Sequence, residues 1–140
     1  MNIIKFRGKQ INIDEWVYGH LFYGKNEQGQ DEAFIVSLDY YCRDGLIDLN
    51  TCASWQVDIE TVGQYTGLKD KNGKEIYEGD IVKALISGRW FVGKVVYEHS
   101  GFTIDVTSNK ELEFGRRGII EHWTEIIGNV FDNPDLLKEE

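Results

Sequence analysis

The sequence predicts a mainly β fold: an N-terminal β-hairpin lobe, a C-terminal SH3-like small barrel and a short closing helix. Three observations predict it. Four Trp, seven Tyr and seven Phe make up 13% of the 140 residues, and flat rings suit a pleated, half-buried surface. Fifteen glycines against one proline point to many tight turns. From residue 62 onward, short apolar runs alternate with Gly, Asn and Asp, the spacing of a β-meander. A hydrophobic content of 41% in 16.2 kDa fills one core, or two small lobes. The division expected is 1–60 for the N-terminal β lobe and 61–140 for the barrel with its helix, or one continuous domain.

The elements follow in chain order. Glu15 to Tyr23, "EWVYGHLFY", reads as an aromatic strand. "GKNEQGQ" supplies a polar turn and Ala33 to Leu38, "AFIVSL", the returning strand, so the two form a hairpin with a long loop. Asp39 to Ser54 has weak periodicity and reads as irregular, with Asp44-Gly45 as a turn. "VGQYTG", from Val62, is a short strand. Asn72-Gly73 signals a type I′ turn, in which both central residues need positive φ. "IVKALIS" (Ile81 to Ser87), "WFVGKVVYE" (Trp90 to Glu98) and "FTIDV" (Phe102 to Val106) are three strands joined by turns at Gly88 and at "HSG". Such a meander twists and closes readily into a small barrel. Gly93 inside the second strand reads as a bulge that permits the bend. Leu112 to Trp123 fits neither period. Glu125 to Phe131 reads as a last strand. Asn133 then caps a short helix, Pro134 to Lys138, with proline at its first position and Leu136 and Leu137 against the body.

The most informative stretch is "QYTGLKDKNGKEIYEGDIVK", Gln64 to Lys83. Tyr65 and Leu68 form one apolar anchor, Ile76 and Tyr77 the other. The polar link between them lets the chain reverse with its backbone solvated. Gly79 permits a conformation that side chains forbid, and Asp80 accepts hydrogen bonds from nearby backbone N–H groups. The stretch reads as a clasp feeding the barrel.

This stretch closely resembles the signature of the YopX protein family, found in bacteriophages and in prophages of Gram-positive bacteria. "IKFRGK…EWVYGHLFY", Ile4 to Tyr23, resembles the family's opening segment, and "EIIGNVFDNPDLL", Glu125 to Leu137, its closing one. The resemblance implies a mainly β phage accessory protein, of a family whose function is largely unknown and which brings no catalytic residues to this chain. The positions matching the central motif, structural or binding, are Tyr65, Thr66, Gly67, Leu68, Asp70, Asn72, Gly73, Ile76, Tyr77, Gly79 and Asp80.

Chemistry-bearing constellations are sparse. Cys42 and Cys52, with His20, His99 and His122, lack CxxC or HxxxH spacing, so the thiols read as structural and no metal or cofactor is expected. Ser100 follows His99, but neighbours on a strand end point to opposite faces, and no GxSxG occurs. Glu78/Asp80 and Asp58/Glu60 stand at i, i+2, yet 24 acidic residues make such pairs common by chance, and a solvated surface accounts for them. Lys69 to Lys74 lacks the pattern of a phosphate-binding loop. The chain therefore reads as non-enzymatic, with an enzyme of unknown type as the third reading.

Net charge is −9, the wrong sign for a general phosphate-backbone binder. The charge is uneven. Residues 51–100 carry six Lys/Arg against seven Asp/Glu, whereas residues 101–140 carry four against nine. A nucleic-acid face, the alternative reading, draws on Lys83, Arg89, Trp90, Lys94 and Tyr97, because aromatics beside cations suit single strands. Trp90 and Phe91 must then point to opposite faces. Arg116-Arg117 is a smaller basic spot. The leading reading is binding of an unidentified protein partner, or self-assembly as a homo-oligomer, since exposed sheet edges and aromatics favour interfaces. No signal peptide or membrane span is read, and two Cys without a secretory signal suggest reduced thiols in a cytoplasm, which the family resemblance implies is that of a bacterial host.

Overall fold

The computed structural model describes residues 3–37, 41–43, 46–48, 53–98, 100–106 and 116–137. It is mainly β, with antiparallel sheets and only single-turn 3₁₀ helices among the described residues. The chain forms two compact units, Met1–Gln64 and Tyr65–Glu140.

The first unit holds β1 (Phe6–Lys9), β2 (Trp16–Lys25), β3 (Asp31–Val36), β4 (Tyr41–Arg43), β5 (Leu46–Asp48) and β6 (Ser54–Val57). Its sheet runs β6-β3-β2-β1. The predicted hairpin is β2-β3, paired from His20↔Val36 to Lys25↔Asp31. Its loop is knotted by Asn26, whose side-chain oxygen accepts from the N–H groups of Gln28 and Gln30 at 3.0 and 2.9 Å. More than a hairpin is present. Beyond β1 the chain bends onto β6, where Gln10 bridges Val57 and Lys9 O accepts from Asp58 N at 2.8 Å. That contact covers the free edge of β6, which would otherwise invite foreign pairing. Val17, Ala33, Ile35 and Val57 fill the interior, flanked by Phe6, Leu21, Trp55 and Val62. The stretch read as irregular contains the small antiparallel hairpin β4-β5. Three-residue strands carry too few alternations to show a period, which is why the sequence hides them. The Asp44-Gly45 turn lies outside the described residues.

The second unit holds most of β7 (Gly63–Lys69, whose first two residues pair with β1 inside the first unit), then β8 (Glu75–Tyr77), β9 (Asp80–Ile86), β10 (Arg89–Glu98), β11 (Gly101–Asp105), β12 (Arg116–Gly118) and β13 (Thr124–Asn129). Its five-stranded sheet is ordered β12-β11-β10-β9-β13. The meander is the one expected, and the last strand returns beside the first, an order consistent with a small barrel. Alternate residues of β9, β10 and β11 (Val82, Ala84, Phe91, Val95 and Ile104) turn inward and meet Ile76 and Val106. Burying each such aliphatic is worth about 1.5–3 kcal/mol.

Four local expectations are corrected. Only Gly73 of the Asn72-Gly73 pair has positive φ (83°), so that turn is not type I′. Gly73 N donates to Asp70 O and Asp70 N to Lys74 O, a three-residue loop closed by a left-handed glycine. The two-residue loop with both φ positive is Ser87-Gly88, at 50° and 80°, between partners Ile86 and Arg89. Gly93 is not a bulge, since the β9-β10 register runs through it unbroken. A Cβ there would stand 2.6 Å from Asp105 O, so a close approach of β11 requires glycine. The bulge lies in β13, between Ile126 and Gly128. Finally, Pro134–Leu137 is a 3₁₀ turn that Asn133 does not cap. Its side chain instead accepts from Asn129 N at 3.2 Å, and Leu136 is exposed.

Candidate functional site

The clasp is built around two buried carboxylates. Asp70 is 5% exposed. Its Oδ1 accepts from the N–H groups of Asn72 and Lys74, both at 2.9 Å. Its Oδ2 accepts from Ile126 N of β13 at 3.0 Å. Burial pushes the carboxyl up, but the N–H groups of Ile126, Lys74 and Asn72 and the Lys74 charge outweigh it, so the group sits below its ordinary value. Lys71 N also donates to Thr124 O, and Lys69 N to the Glu121 carboxylate at 2.8 Å. The polar link is exposed at Lys69 and from Lys71 to Lys74, but Asp70 and several of the link's N–H groups are bonded within the protein. Its first residues lie along the open edge of β13, tied to it through Asp70 and Lys71, a pattern invisible without knowing that β13 lies alongside.

Asp80 holds the other end of the clasp, accepting from Tyr77 N at 2.7 Å. Gly79 adopts φ 93°, where a side chain would be strained. Its N–H donates to Val95 O and its O accepts from Val130 N. Between the two ends, Gly67 has φ 85° at the register shift of β7 and β8. There the Thr66 hydroxyl donates to Ile76 O at 2.8 Å and accepts from Leu68 N at 3.2 Å. Tyr65 and Tyr77 pack rings at 5.4 Å and Ile76 is fully buried, whereas Leu68 is half-buried and Asn72 and Gly73 are exposed. Thr66, Asp70 and Asp80 thus each serve main-chain groups.

The five residues of the alternative face separate by strand parity. Trp90 and Lys94 share one face of β10 with Val92, and Lys83 joins them opposite Val92 on β9. Arg89 and Tyr97 fall on the other parity. The Arg89 guanidinium lies 5.7 Å from the Phe91 ring, and Tyr97 packs edge-on against Phe102 at 5.0 Å. Trp90 is 49% exposed and Phe91 5%, opposite faces as expected.

Two residues outside the predicted set complete this face. The ammonium groups of Lys71 and Lys83 stand 5.4 and 5.3 Å from the Trp90 ring centre. Both reach Glu125, at 3.5 and 2.9 Å. The Lys83 bond is the main cause holding Glu125 below its ordinary value; burial opposes it and the Lys71 charge adds to it. The signal for Glu125 is its place opposite Lys83 in the β13-β9 register, which needs a strand pairing that no local pattern announces. The arrangement can present an indole and a valine to a partner, flanked by two ammonium groups that share one carboxylate.

The other candidate groups do not assemble. Asp58 caps a 3₁₀ turn, accepting from Glu60 N at 3.1 Å, and Glu78 lies in the turn before Asp80. Among the described residues, no group of three His, Cys, Asp or Glu is placed to hold a metal ion. Cys52, His99 and the side chains of Cys42, Arg116 and Arg117 lie outside the described part. Ser100 sits in the β10-β11 turn with φ 66°. No helix among the described residues is long and apolar enough to cross a membrane.

The model of the YopX protein family matches residues 5–138. The chain belongs to that family. The structure of protein EF1440 from Enterococcus faecalis is similar at 21% identity and a TM-score of 0.54, covering 99% of this chain and 100% of that one. The structure of yopX from Bacillus subtilis is similar at 19% identity and 0.51, covering 100% and 99%. At these identities the likeness concerns the fold. No curated protein matches the chain.

Proposed function

We propose that this YopX-family chain is a non-enzymatic phage or prophage accessory protein that works in the host cytoplasm by binding protein, either a partner or a second copy of itself. The observation that carries the reading is the outward face of β10. Trp90 and Val92 are exposed side by side, and an exposed Trp is the side chain most often found anchoring an interface. The nearby lysines Lys71 and Lys83 share the one carboxylate of Glu125, and the net charge of −9 works against nucleic acid.

The test compares the chain with its Trp90→Ala variant as bait in host lysate, with and without nuclease, alongside light-scattering mass. The reading expects a retained protein, or a dimer mass, that the variant loses and nuclease leaves intact. Retention abolished by nuclease would instead favour the single-strand alternative. Equal behaviour of chain and variant would remove the β10 face from the reading.

A further inference from the structure

The first unit carries a surface that the β10 face does not explain. Ile11, Ile13 and Ile59 are 50%, 52% and 39% exposed, and all three line one open cleft of about 580 Å³. Each leaves roughly half of its side chain in water, apolar surface that a partner could still bury. Three around one concavity give a mostly polar cleft a local apolar side.

These side chains are held out by a tied scaffold. Ile11 N donates to Gln56 O at 3.3 Å, Gln10 N to Glu15 O at 3.0 Å and Glu15 N to Ile13 O at 2.7 Å. Ile59 sits in the 3₁₀ turn capped by Asp58. The Thr61 hydroxyl fastens that turn, donating to Asp58 O at 2.6 Å and accepting from Lys9 N at 2.9 Å. The cleft is thus pre-formed, which lowers the ordering cost of binding.

The rim decides what the cleft takes. Asp14, Asp31, Glu32 and Asp58 stand around it, four carboxylates against two ammonium groups, Lys9 in the lining and Lys25 beside Asp31. Lys9 pairs with Asp14 and Lys25 with Asp31 at 2.6 Å, while Glu32 accepts from Gln56 at 2.5 Å. A mixed cleft, with isoleucines set among polar groups and a rim of net negative charge, repels acidic partners and attracts basic ones. We infer that this cleft docks a basic peptide segment of a partner protein, its apolar side chains among the isoleucines and its Lys or Arg heads at the carboxylate rim. Long basic side chains suit both parts, because their stems are apolar and their heads charged. The site goes beyond the β10 reading and stands or falls without it.

The test uses the full chain and short fluorescein-labelled peptides that alternate Lys with Leu, Glu with Leu, or Lys with Ser, read by fluorescence polarisation. The Lys-Leu peptide should bind, the Glu-Leu peptide should not, and the Lys-Ser peptide should bind about tenfold more weakly. The double variants Ile11→Ser/Ile13→Ser and Asp14→Asn/Asp31→Asn should each weaken Lys-Leu binding by about tenfold. The distant double variant Glu98→Gln/Glu121→Gln removes as much charge and should leave binding unchanged. Circular dichroism confirms that each variant is folded. Equal loss in the distant variant, or equal affinity for Lys-Leu and Lys-Ser peptides, overturns the inference. Trp90→Ala should leave this binding unchanged, so its outcome separates the two surfaces.

Discussion

Replacing Asp70 by alanine removes three hydrogen bonds to a carboxylate, from Asn72, Lys74 and Ile126. Each such bond contributes about 1.5–3 kcal/mol. The exposed N–H groups of Asn72 and Lys74 regain water, so each of their bonds counts for only about 0.5 kcal/mol. The Ile126 N–H faces the clasp and loses its acceptor. The net cost expected is about 3 kcal/mol, a fall in Tm of about 10 °C for a chain of this size. Asp70→Asn should fall between, since one amide oxygen can still serve the turn while its NH₂ meets the Ile126 N–H donor to donor. Urea unfolding followed by Trp fluorescence measures the ranking, and hydrogen exchange at the Ile126 amide reports the lost bond locally. The pH dependence is fixed in sign. The folded carboxyl titrates below its ordinary 3.8, so its contribution is complete above that pH and is lost as pH falls through the lowered value. The gap between the wild-type chain and Asp70→Ala should therefore narrow below about pH 4. A variant within about 1 kcal/mol of wild type at neutral pH, or an unchanged Ile126 exchange rate, would refute the clasp.

Three further outcomes are expected. Gly93→Ala, whose methyl would meet Asp105 O and Val106 Cγ1 at 2.6 Å, should destabilise by about 1–3 kcal/mol, while Gly101→Ala, with open space at its Cβ, should stay within about 0.5 kcal/mol; thermal melts compare them. Ser87→Asn places the preferred residue in the true type I′ turn and should stabilise by about 0.5 kcal/mol or more in the same melts. Lys83→Met should raise the Glu125 pKa toward its ordinary 4.5, and Lys71→Met should raise it less, because the Lys83 bond is the larger cause; carboxyl NMR titration reads both.

Legibility in the sequence follows the range of the signal. The β2-β3 hairpin and the β9-β10-β11 meander were readable because alternation, turn residues and length all lie within neighbouring residues. The Gly79-Asp80 step was readable too, since its positive φ and the Asp80 bond to Tyr77 N are local. Turn type was misassigned because Asn-Gly outranks Ser-Gly in intrinsic preference, yet the loop lengths set by the flanking pairs selected Ser87-Gly88 for type I′ geometry. Gly93 looked like a bulge because packing of β11 against its Cα cannot be seen along the chain. The carboxylate of Asp70, the Glu125 link and the edge cover at Gln10 all join residues distant in sequence, and each needs the strand order before it can be inferred.

That difference in range bears on where function resides. In the family motif, Thr66, Asp70, Gly79 and Asp80 are committed to holding β7, β8, β9 and β13 together, and a group already bonded to the backbone is costly to redeploy toward a ligand. Binding must then use side chains whose removal costs the fold little. Trp90, Val92 and the three isoleucines of the first unit meet that condition, because each is substantially exposed. Substitutions in the motif should lower stability and binding together, whereas substitutions at these exposed positions should lower binding alone. A chain in which Trp90→Ala and Ile11→Ser/Ile13→Ser kept every interaction of the wild type, at unchanged stability, would place the working surface elsewhere.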